Sequence, residues 1–189
     1  MNIPGSALPG LYGPYPRAGS GGVMIASQPQ LLSIALVERD VVYTPDDVAR
    51  DVVEFFKPTG QILEPSKGDG AFMRYLPPDT QWCEITEGRD FFAWDKQMDW
   101  IIGNPPFSIF SDWLKHSFEI ANDIVYIQIL SSIFISYKRM KLIYEYGGIK
   151  AIYVLGNGSD INMHEFGFNI AAVHFQRNYR GGIAISFRI

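Results

Sequence analysis

The stretch Leu63-Glu64-Pro65-Ser66-Lys67-Gly68-Asp69-Gly70 decides the fold of this chain. It continues the short apolar run 61–63, and its two glycines let the backbone turn tightly and approach a ligand closely. A strand that enters a glycine-rich turn and then a helix is typical of an open α/β sheet, which binds ligands at the carboxyl ends of its strands. We therefore expect a ligand site to include Glu64, Pro65, Ser66, Gly68 and Gly70.

A second carboxylate indicates the kind of ligand. Glu84 lies twenty residues after Glu64, at the end of the next predicted strand, 81–84. A carboxylate at that position can accept hydrogen bonds from both hydroxyls of a ribose. The full dinucleotide fingerprint is absent, and Glu64 with Asp69 would repel a pyrophosphate. The spacing therefore favours a nucleoside-bearing cofactor with a positively charged, phosphate-free group, such as S-adenosylmethionine.

The tetrapeptide Asn104-Pro105-Pro106-Phe107, an NPPF motif, follows the apolar run 99–102 directly. Its prolines stiffen the loop and leave the Pro105 carbonyl without a strand partner, close to the Asn104 carboxamide oxygen. Two acceptors that hold the N–H bonds of a conjugated amine or amide stabilise the charge that develops when its nitrogen attacks a methyl group. Phe107 can stack on the flat group that carries the amine. The four residues are the catalytic candidates.

Short apolar runs alternate with helical periodicity from residue 41 onward. This pattern predicts an α/β fold, a Rossmann-like doubly wound sheet that is mostly parallel. The last two predicted strands, 169–175 and 183–187, have only a glycine-rich turn between them, which predicts a C-terminal antiparallel hairpin. The other predicted strands are 61–64, 81–84, 99–102, 124–130 and 149–155, and helices are predicted near 45–57, 110–121 and 137–143.

Length and composition indicate one globular domain. The chain has 189 residues, of which 47% are hydrophobic, and we expect a catalytic domain over 41–189 after a flexible Gly/Pro-rich arm, 1–40. The single cysteine, Cys83, excludes an intramolecular disulfide and a cysteine-based zinc cluster. The apolar stretch 124–135 is shorter than a membrane span, and no secretory signal is visible. We expect a cytoplasmic protein with no membrane contact.

Charge is distributed unevenly along the chain. The net charge is −4, but residues 1–100 carry 8 basic and 14 acidic side chains, whereas 101–189 carry 8 basic and 6 acidic ones. The second part therefore predicts a modest basic face that follows phosphates and gives weak, salt-sensitive binding to nucleic acid. Its predicted members are Lys138, Arg139, Lys141, Arg177 and Arg180.

In this order, the motifs resemble those of the class I S-adenosylmethionine-dependent methyltransferases that modify exocyclic amino groups, in particular the N6-adenine DNA methyltransferases. Run 43–45, Tyr43-Thr44-Pro45, is similar to the family's leading cofactor motif, 63–70 to its glycine motif, and Asn104-Pro105-Pro106-Phe107 to its catalytic motif. Glu84 matches the ribose-binding acid, and Asp90-Phe91-Phe92 the segment that holds the cofactor's adenine. Before strand 169–175, run 165–168 is similar to the segment that places a second aromatic against the extruded base, with Phe166 preferred and Phe168 as the alternative.

The resemblance implies a role for each matched residue. Thr44 and Tyr43 would belong to the cofactor site, although Thr44 is equally well explained as a helix cap. Phe92 and Trp94 are assigned to the core and His116 to the surface. The implied contacts are Thr44, Glu64 and Gly68 on the methionine part, Asp90 as acceptor for the cofactor's adenine amine, and Phe91 through its backbone amide or ring.

The chain also departs from the family pattern. Only five residues separate Glu84 from Asp90, where the family fits a helix, so we expect a vestigial third strand. The chain ends after the last predicted strand, and no separate target-recognition domain is expected. Sequence specificity is then low, or it comes from loops such as 131–141 or from a specificity-providing partner. A homodimer is the other partner expected.

The resemblance implies a bacterial or phage DNA N6-adenine methyltransferase, site-specific or of low specificity. It would act by base flipping and direct methyl transfer, without a metal or a covalent intermediate. Alternatives are N4-cytosine methylation of DNA, N6-adenine methylation of RNA, N5-methylation of a protein glutamine, and a non-catalytic binding subunit. Cys83 lies inside a predicted strand without a Pro-Cys pair, which disfavours C5-cytosine methylation through a thiolate.

Overall fold

Seven strands form one sheet in the computed structural model, which describes residues 42–163 and 167–189. The predicted N-terminal arm, 1–40, lies outside the described residues. The strands are β1 (Ile62–Glu64), β2 (Gln81–Trp82), β3 (Met98–Gly103), β4 (Ala121–Ile129), β5 (Gly147–Asn157), β6 (Asn169–Arg177) and β7 (Ala184–Phe187). Their order across the sheet is β2-β1-β3-β4-β6-β5-β7. The pairs from β2 to β4 are parallel, and β6 is antiparallel to both of its neighbours.

Helices cover both faces of this sheet, as the doubly wound pattern predicts. They are α1 (Asp46–Phe56), α2 (Phe110–Ile120), α3 (Leu130–Ile135) and α4 (Tyr137–Tyr146), with short 3₁₀ turns at Phe72–Arg74, Ile85–Glu87 and Phe91–Ala93. Neighbouring strand residues point to opposite faces, so Ile101 packs with α2 and α4 while Ile102 packs with α1, and both are fully buried. The mixed α/β fold class is confirmed.

The beginning of α1 differs from the prediction. The helix begins at Asp46, and its N-cap residue is Pro45, which has no side-chain capping bond. The Ala49 amide instead donates to the Pro45 carbonyl at 3.0 Å. The capping role considered for Thr44 is therefore wrong, because Thr44 lies one residue too early. Its buried side chain is free for the other role considered, in the ligand site.

The antiparallel pairing near the C-terminus is present but joins other strands than predicted. β6 pairs antiparallel with β5 and β4, whereas β7 pairs parallel with β5, from Ala151–Ala184 to Val154–Phe187. The predicted hairpin between 169–175 and 183–187 is wrong on this point. Because β6 has a partner on each side, it offers no edge to β7, which takes the outer edge of β5.

The opposite edge of the sheet ends at β2, which is only two residues long. Between Glu84 and Asp90 the chain forms a 3₁₀ turn and one antiparallel bridge, Glu84 to Arg89. Within the described residues no strand lies beyond β2, which agrees with a vestigial third strand. Across residues 42–163 and 167–189 there is also no helix with the length and apolar character of a membrane span.

Candidate active site

Two adjoining depressions lie where the carboxyl ends of β1, β2 and β3 meet. The larger, here called the main cleft, brings together most of the residues selected from the sequence. The smaller, here called the side pocket, shares Ser66, Glu84 and Pro106 with it, so one ligand can occupy both. The predicted residues that line the main cleft are Tyr43, Thr44, Glu64, Ser66, Gly68, Glu84, Asn104, Pro105, Pro106 and Phe107; those that line the side pocket are Pro65, Asp90 and Phe91, with the three shared residues.

Glu64 ends β1 as a buried carboxyl group, only 1% exposed. It fits because Gly103 has no side chain: a Cβ there would lie 2.5 Å from Glu64 Oε1. The Ser66 amide donates to that oxygen at 2.9 Å. Burial raises the pKa of Glu64 to about 8. The negative charges of Glu84 and Asp69 add to this rise, whereas the hydrogen bonds from Ser66 oppose it. A cation in the main cleft would favour its ionised form.

Glu84 is held by hydrogen bonds to both of its oxygens. Oε2 accepts from the Gly68 amide at 2.8 Å, and Oε1 accepts from the amide and the hydroxyl of Thr86 at 3.1 and 2.8 Å. Burial by itself would raise the pKa of Glu84, but these bonds outweigh it and lower the pKa. The result is a fixed, ionised carboxylate between the main cleft and the side pocket.

The glycine turn adopts the geometry that its composition predicts. Gly68 has φ +53° and Gly70 has φ +85°, a backbone region that favours glycine. The ring of Tyr43 lies over Gly68, since a Cβ at Gly68 would be 3.5 Å from it. Gly70 shapes the turn but is not among the residues that line either depression.

Asn104 has the most unusual environment of the site. Its Nδ2 donates to the Val42 carbonyl at 2.9 Å, and its own backbone carbonyl accepts from Ser66 Oγ at 3.1 Å. Its Oδ1 is buried and has no hydrogen-bond partner within residues 42–163 and 167–189. An unpaired buried acceptor costs about 1–3 kcal/mol. A ligand N–H group in the main cleft would satisfy it.

The side chains of the predicted adenine segment, Asp90-Phe91-Phe92, differ in their surroundings. Asp90 Oδ1 accepts from the Phe92 amide at 2.9 Å. Phe91 is buried, with its ring centroid 4.6 Å from that of Trp113, so its ring belongs to the core. Phe92 is exposed and lines the side pocket, which corrects its assignment to the core. His116 is half-buried against Phe91, not a surface residue. Trp94 packs against the core, as predicted.

The predicted basic face is not continuous. The prediction that Arg139 contacts phosphates is wrong, because its guanidinium already donates to Ser111 Oγ and to the Ser132 carbonyl. Lys141 is exposed but lies 3.6 Å from Glu145, and Lys138 is exposed. Arg177 and Arg180 lie beside the first residues of β4 and β5, at the opposite end of these strands from the catalytic loop, where they donate to carbonyls that include Ala121 and Gly147.

The candidates for base contact are only partly assembled. Phe107 lines the main cleft. Phe168 is exposed and is not among the residues that line either depression, and Phe166 lies outside the described residues. Within the described ranges, no group of three or more His, Cys, Asp or Glu side chains could hold a metal ion.

Three contributions were missed from the sequence. Thr86 follows Glu84 by two residues, a spacing typical of a local hydroxyl turn, and Gly103 directly precedes the catalytic motif; both signals were readable. The Val42 carbonyl gave no signal, because a backbone acceptor looks the same at every position.

Comparisons with known proteins bear on the fold. No protein-family model matches the sequence, and a comparison with curated protein sequences finds no match. Solved structures do match. A Listeria monocytogenes protein assigned to the class I S-adenosylmethionine-dependent methyltransferases has a TM-score of 0.59 at 12% identity, over 82% of this chain and 71% of that one.

Two further structures broaden this similarity. Magnesium protoporphyrin IX methyltransferase from Synechocystis, solved with S-adenosylmethionine bound, has a TM-score of 0.51 at 12% identity, over 84% of this chain and 86% of that one. A type I restriction-modification methyltransferase subunit from Streptococcus thermophilus has a TM-score of 0.53 at 14% identity, over 77% of this chain; the match spans 47% of that subunit. The chain therefore has the fold of the class I S-adenosylmethionine-dependent methyltransferases.

Proposed function

We propose that this protein is an S-adenosylmethionine-dependent methyltransferase that modifies the exocyclic N6 amine of adenine in nucleic acid, with DNA as the preferred substrate. The observation that carries the proposal is the buried Oδ1 of Asn104, a residue that lines the main cleft; this oxygen has no hydrogen-bond partner within the described residues. It is an acceptor without a donor, in the same depression as Glu64 and Glu84. An amine substrate supplies the missing donor.

The two depressions fit the cofactor part by part. Asp90 and Phe92 in the side pocket would hold its adenine, Glu84 at the junction would accept from the ribose hydroxyls, and Glu64 with Thr44 would face the methionine ammonium. Two acidic groups and no phosphate-binding turn suit a cationic, phosphate-free nucleoside. When bound, S-adenosylmethionine supplies an electrophilic methyl group on its sulfonium.

The catalytic loop would orient the amine. Asn104 Oδ1 and the Pro105 carbonyl accept its two N–H bonds, which turns the nitrogen lone pair toward the methyl group and stabilises the positive charge that forms on nitrogen. The Val42 carbonyl keeps the Asn104 amide in the orientation that presents Oδ1. Phe107, which lines the main cleft, would stack on the base.

Two observations favour adenine in DNA as the proposed substrate. The order of motifs, with Tyr43-Thr44-Pro45 first and Asn104-Pro105-Pro106-Phe107 later, resembles that of N6-adenine DNA methyltransferases. One similar fold belongs to a type I restriction-modification methyltransferase subunit. Cytosine N4 and a glutamine side chain present a similar amine or amide, so the methylated product must be identified directly.

The test is transfer of a tritiated methyl group from S-adenosylmethionine to unmethylated DNA, to RNA and to protein, followed by digestion and mass spectrometry. N6-methyladenine in DNA is expected, and Asn104→Ala should lose at least about a hundredfold in rate. The matched control is Asn122→Ala, an exposed asparagine at the start of β4, which should keep the wild-type rate. Equal counts from Asn104→Ala, or methylglutamine with no methylated base, would reject the proposal.

A further inference from the structure

Two large apolar side chains stand exposed on either side of Ser136, between α3 and α4. Ile135 is 79% exposed and Tyr137 is 81% exposed. Across the described ranges, the Tyr137 side chain has no hydrogen bond or ring contact. Residues 135–138 are called here the α3–α4 corner. An exposed aromatic next to an exposed aliphatic is the composition of a contact surface.

Hydrogen bonds hold the backbone of the corner without any contribution from these two side chains. Ser136 caps α4 by accepting from the Arg139 amide at 3.3 Å. The Arg139 guanidinium donates to Ser111 Oγ at 3.0 and 3.1 Å and to the Ser132 carbonyl, and it lies 5.2 Å from the centre of the Phe110 ring. Ile135 and Tyr137 are therefore presented outward from a fixed backbone.

The corner belongs to the same end of the molecule as the candidate active site. β4 is parallel to β3, and α3 begins directly after the carboxyl end of β4, as the catalytic loop begins after the carboxyl end of β3. Ser111, which Arg139 binds, is four residues after Phe107 in the same segment. The bonds of Arg139 thus connect the corner to the chain that continues from the catalytic loop.

Charge favours one kind of partner. Lys138 is exposed beside Tyr137 and has no ion pair within residues 42–163 and 167–189. A cation next to an aromatic ring matches single nucleotides, which present a phosphate and a flat apolar base. A base pulled out of its stack also leaves neighbouring base faces uncovered.

We propose that the α3–α4 corner binds the nucleotides that flank the extruded base: Tyr137 stacks on the uncovered face of a neighbouring base, Ile135 packs beside it, and Lys138 contacts the adjacent phosphate. This proposal rests on the proposed function, since it supplies the partner for the same site. It assigns base contact to Ile135 and Tyr137, which lie in the loop 131–141 predicted as one source of sequence specificity, and it keeps Lys138 as a phosphate contact.

The test is photocrosslinking of the full chain to short adenine-rich oligonucleotides that carry 5-iodouracil, offered as single-stranded DNA, duplex DNA and RNA. The crosslinked peptide should contain Tyr137. Tyr137→Ala should weaken binding of the unmodified oligonucleotide about tenfold, because it removes the ring on which one base stacks. Tyr137→Phe should bind like the wild type, as should the matched control Ile185→Ala, whose side chain is similarly exposed on β7.

The outcomes separate this proposal from the proposed function. If the wild type methylates nucleic acid but Tyr137→Ala binds as tightly as Ile185→Ala, or crosslinks map only elsewhere, the corner proposal is overturned and the proposed function stands. If Tyr137→Ala instead abolishes self-association and leaves oligonucleotide binding unchanged, the corner is a protein interface and the proposal is likewise overturned. A wild-type chain that neither binds nor methylates nucleic acid overturns both.

Discussion

Asn104 Nδ2 donates to the Val42 carbonyl at 2.9 Å, across 62 residues of sequence. The bond joins the segment before α1 to the loop after β3, and it determines which end of the amide is left for a ligand. The donor is used internally, so the buried acceptor Oδ1 is the end of the amide that is left without a partner within the described residues.

Asn104→Asp tests this division of roles. An aspartate keeps an acceptor toward the ligand but places a second acceptor against the Val42 carbonyl. We expect the free energy of unfolding to fall by about 1–3 kcal/mol, because that carbonyl loses its donor, while methyl transfer stays well above that of Asn104→Ala. Chemical denaturation and tritium incorporation measure the two effects. An Asp variant as stable as the wild type would show that the Val42 bond contributes nothing.

Glu64→Gln tests the buried carboxyl group through pH. The pKa of Glu64 is about 8 in the folded protein, against an ordinary glutamate value of 4.5, so between these two values the folded state binds a proton that the unfolded chain has lost. The contribution of protonated Glu64 to stability without cofactor should therefore be full below pH 4.5 and be lost, by an order of a few kcal/mol, as pH rises through 8. Glu64→Gln has no carboxyl group to ionise and should not show this loss. Its free energy of unfolding, relative to that of the wild type, should therefore increase from pH 4.5 to pH 8.

Urea denaturation at a series of pH values measures the Glu64 effect. The matched control is Glu54→Gln, which alters an exposed carboxylate on α1 and should follow the wild-type curve. Glu64→Gln should also weaken S-adenosylmethionine binding, as measured by calorimetry, because the amide carries no charge for the ammonium. A Glu64→Gln variant that loses stability in parallel with the wild type from pH 5 to pH 8 would contradict the assignment.

Gly103→Ala tests the space beneath Glu64. The new methyl group would lie 2.5 Å from Glu64 Oε1 and 3.2 Å from Pro65 Cδ, so the carboxyl group must move. We expect a loss of about 1–3 kcal/mol in stability and weaker cofactor binding in calorimetry. Gly182→Ala is the control, since a Cβ there meets nothing within 4 Å. Equal affinities for the two variants would mean that the position of Glu64 does not matter for binding.

A pair of neighbouring cations tests the interpretation of the basic residues. Lys138→Gln should leave thermal stability unchanged and reduce the slope of log affinity for DNA against log salt by about 1. Arg139→Gln should lower thermal stability, since it removes the bonds to Ser111 and Ser132, with its effect on affinity arising from the loosened corner. If Arg139→Gln is as stable as the wild type but shows a smaller slope of log affinity against log salt, Arg139 is a phosphate contact after all.

The sequence was sufficient for the parts of the site that depend on strand ends. Glu64, Glu84 and Asn104 each follow an apolar run, and the carboxyl ends of parallel strands meet at one edge, so their proximity could be predicted. The direction of Arg139 could not be predicted, because a run of charges does not show which side chain turns inward. Phe92 was missed because a 3₁₀ turn of three residues has no periodicity to separate core from lining.

Strand pairing was the other limit. The strands 169–175 and 183–187 were located correctly, but sequence proximity does not reveal that β6 is already paired on both sides. The bond from Asn104 to Val42 was also beyond reach, since its acceptor is a backbone carbonyl. Both depend on tertiary structure that a local pattern does not encode.

The short edge strand β2 forms one wall of the candidate site, and this wall has little local stability. Among residues 42–163 and 167–189, no strand lies on the outer side of Glu84. The ring of Trp82 in β2 is covered instead by Lys67 and Arg89, which lie 4.0 and 3.8 Å from the ring centre. Such an edge opens at a lower free-energy cost than the strands at the centre of the sheet. A nucleoside that bridges Glu84 and the side pocket would supply the lateral contacts that a flanking strand supplies elsewhere. Amide hydrogen exchange in β2 would then slow when the nucleoside binds. Closing of this edge strand and binding of the nucleoside would be thermodynamically coupled.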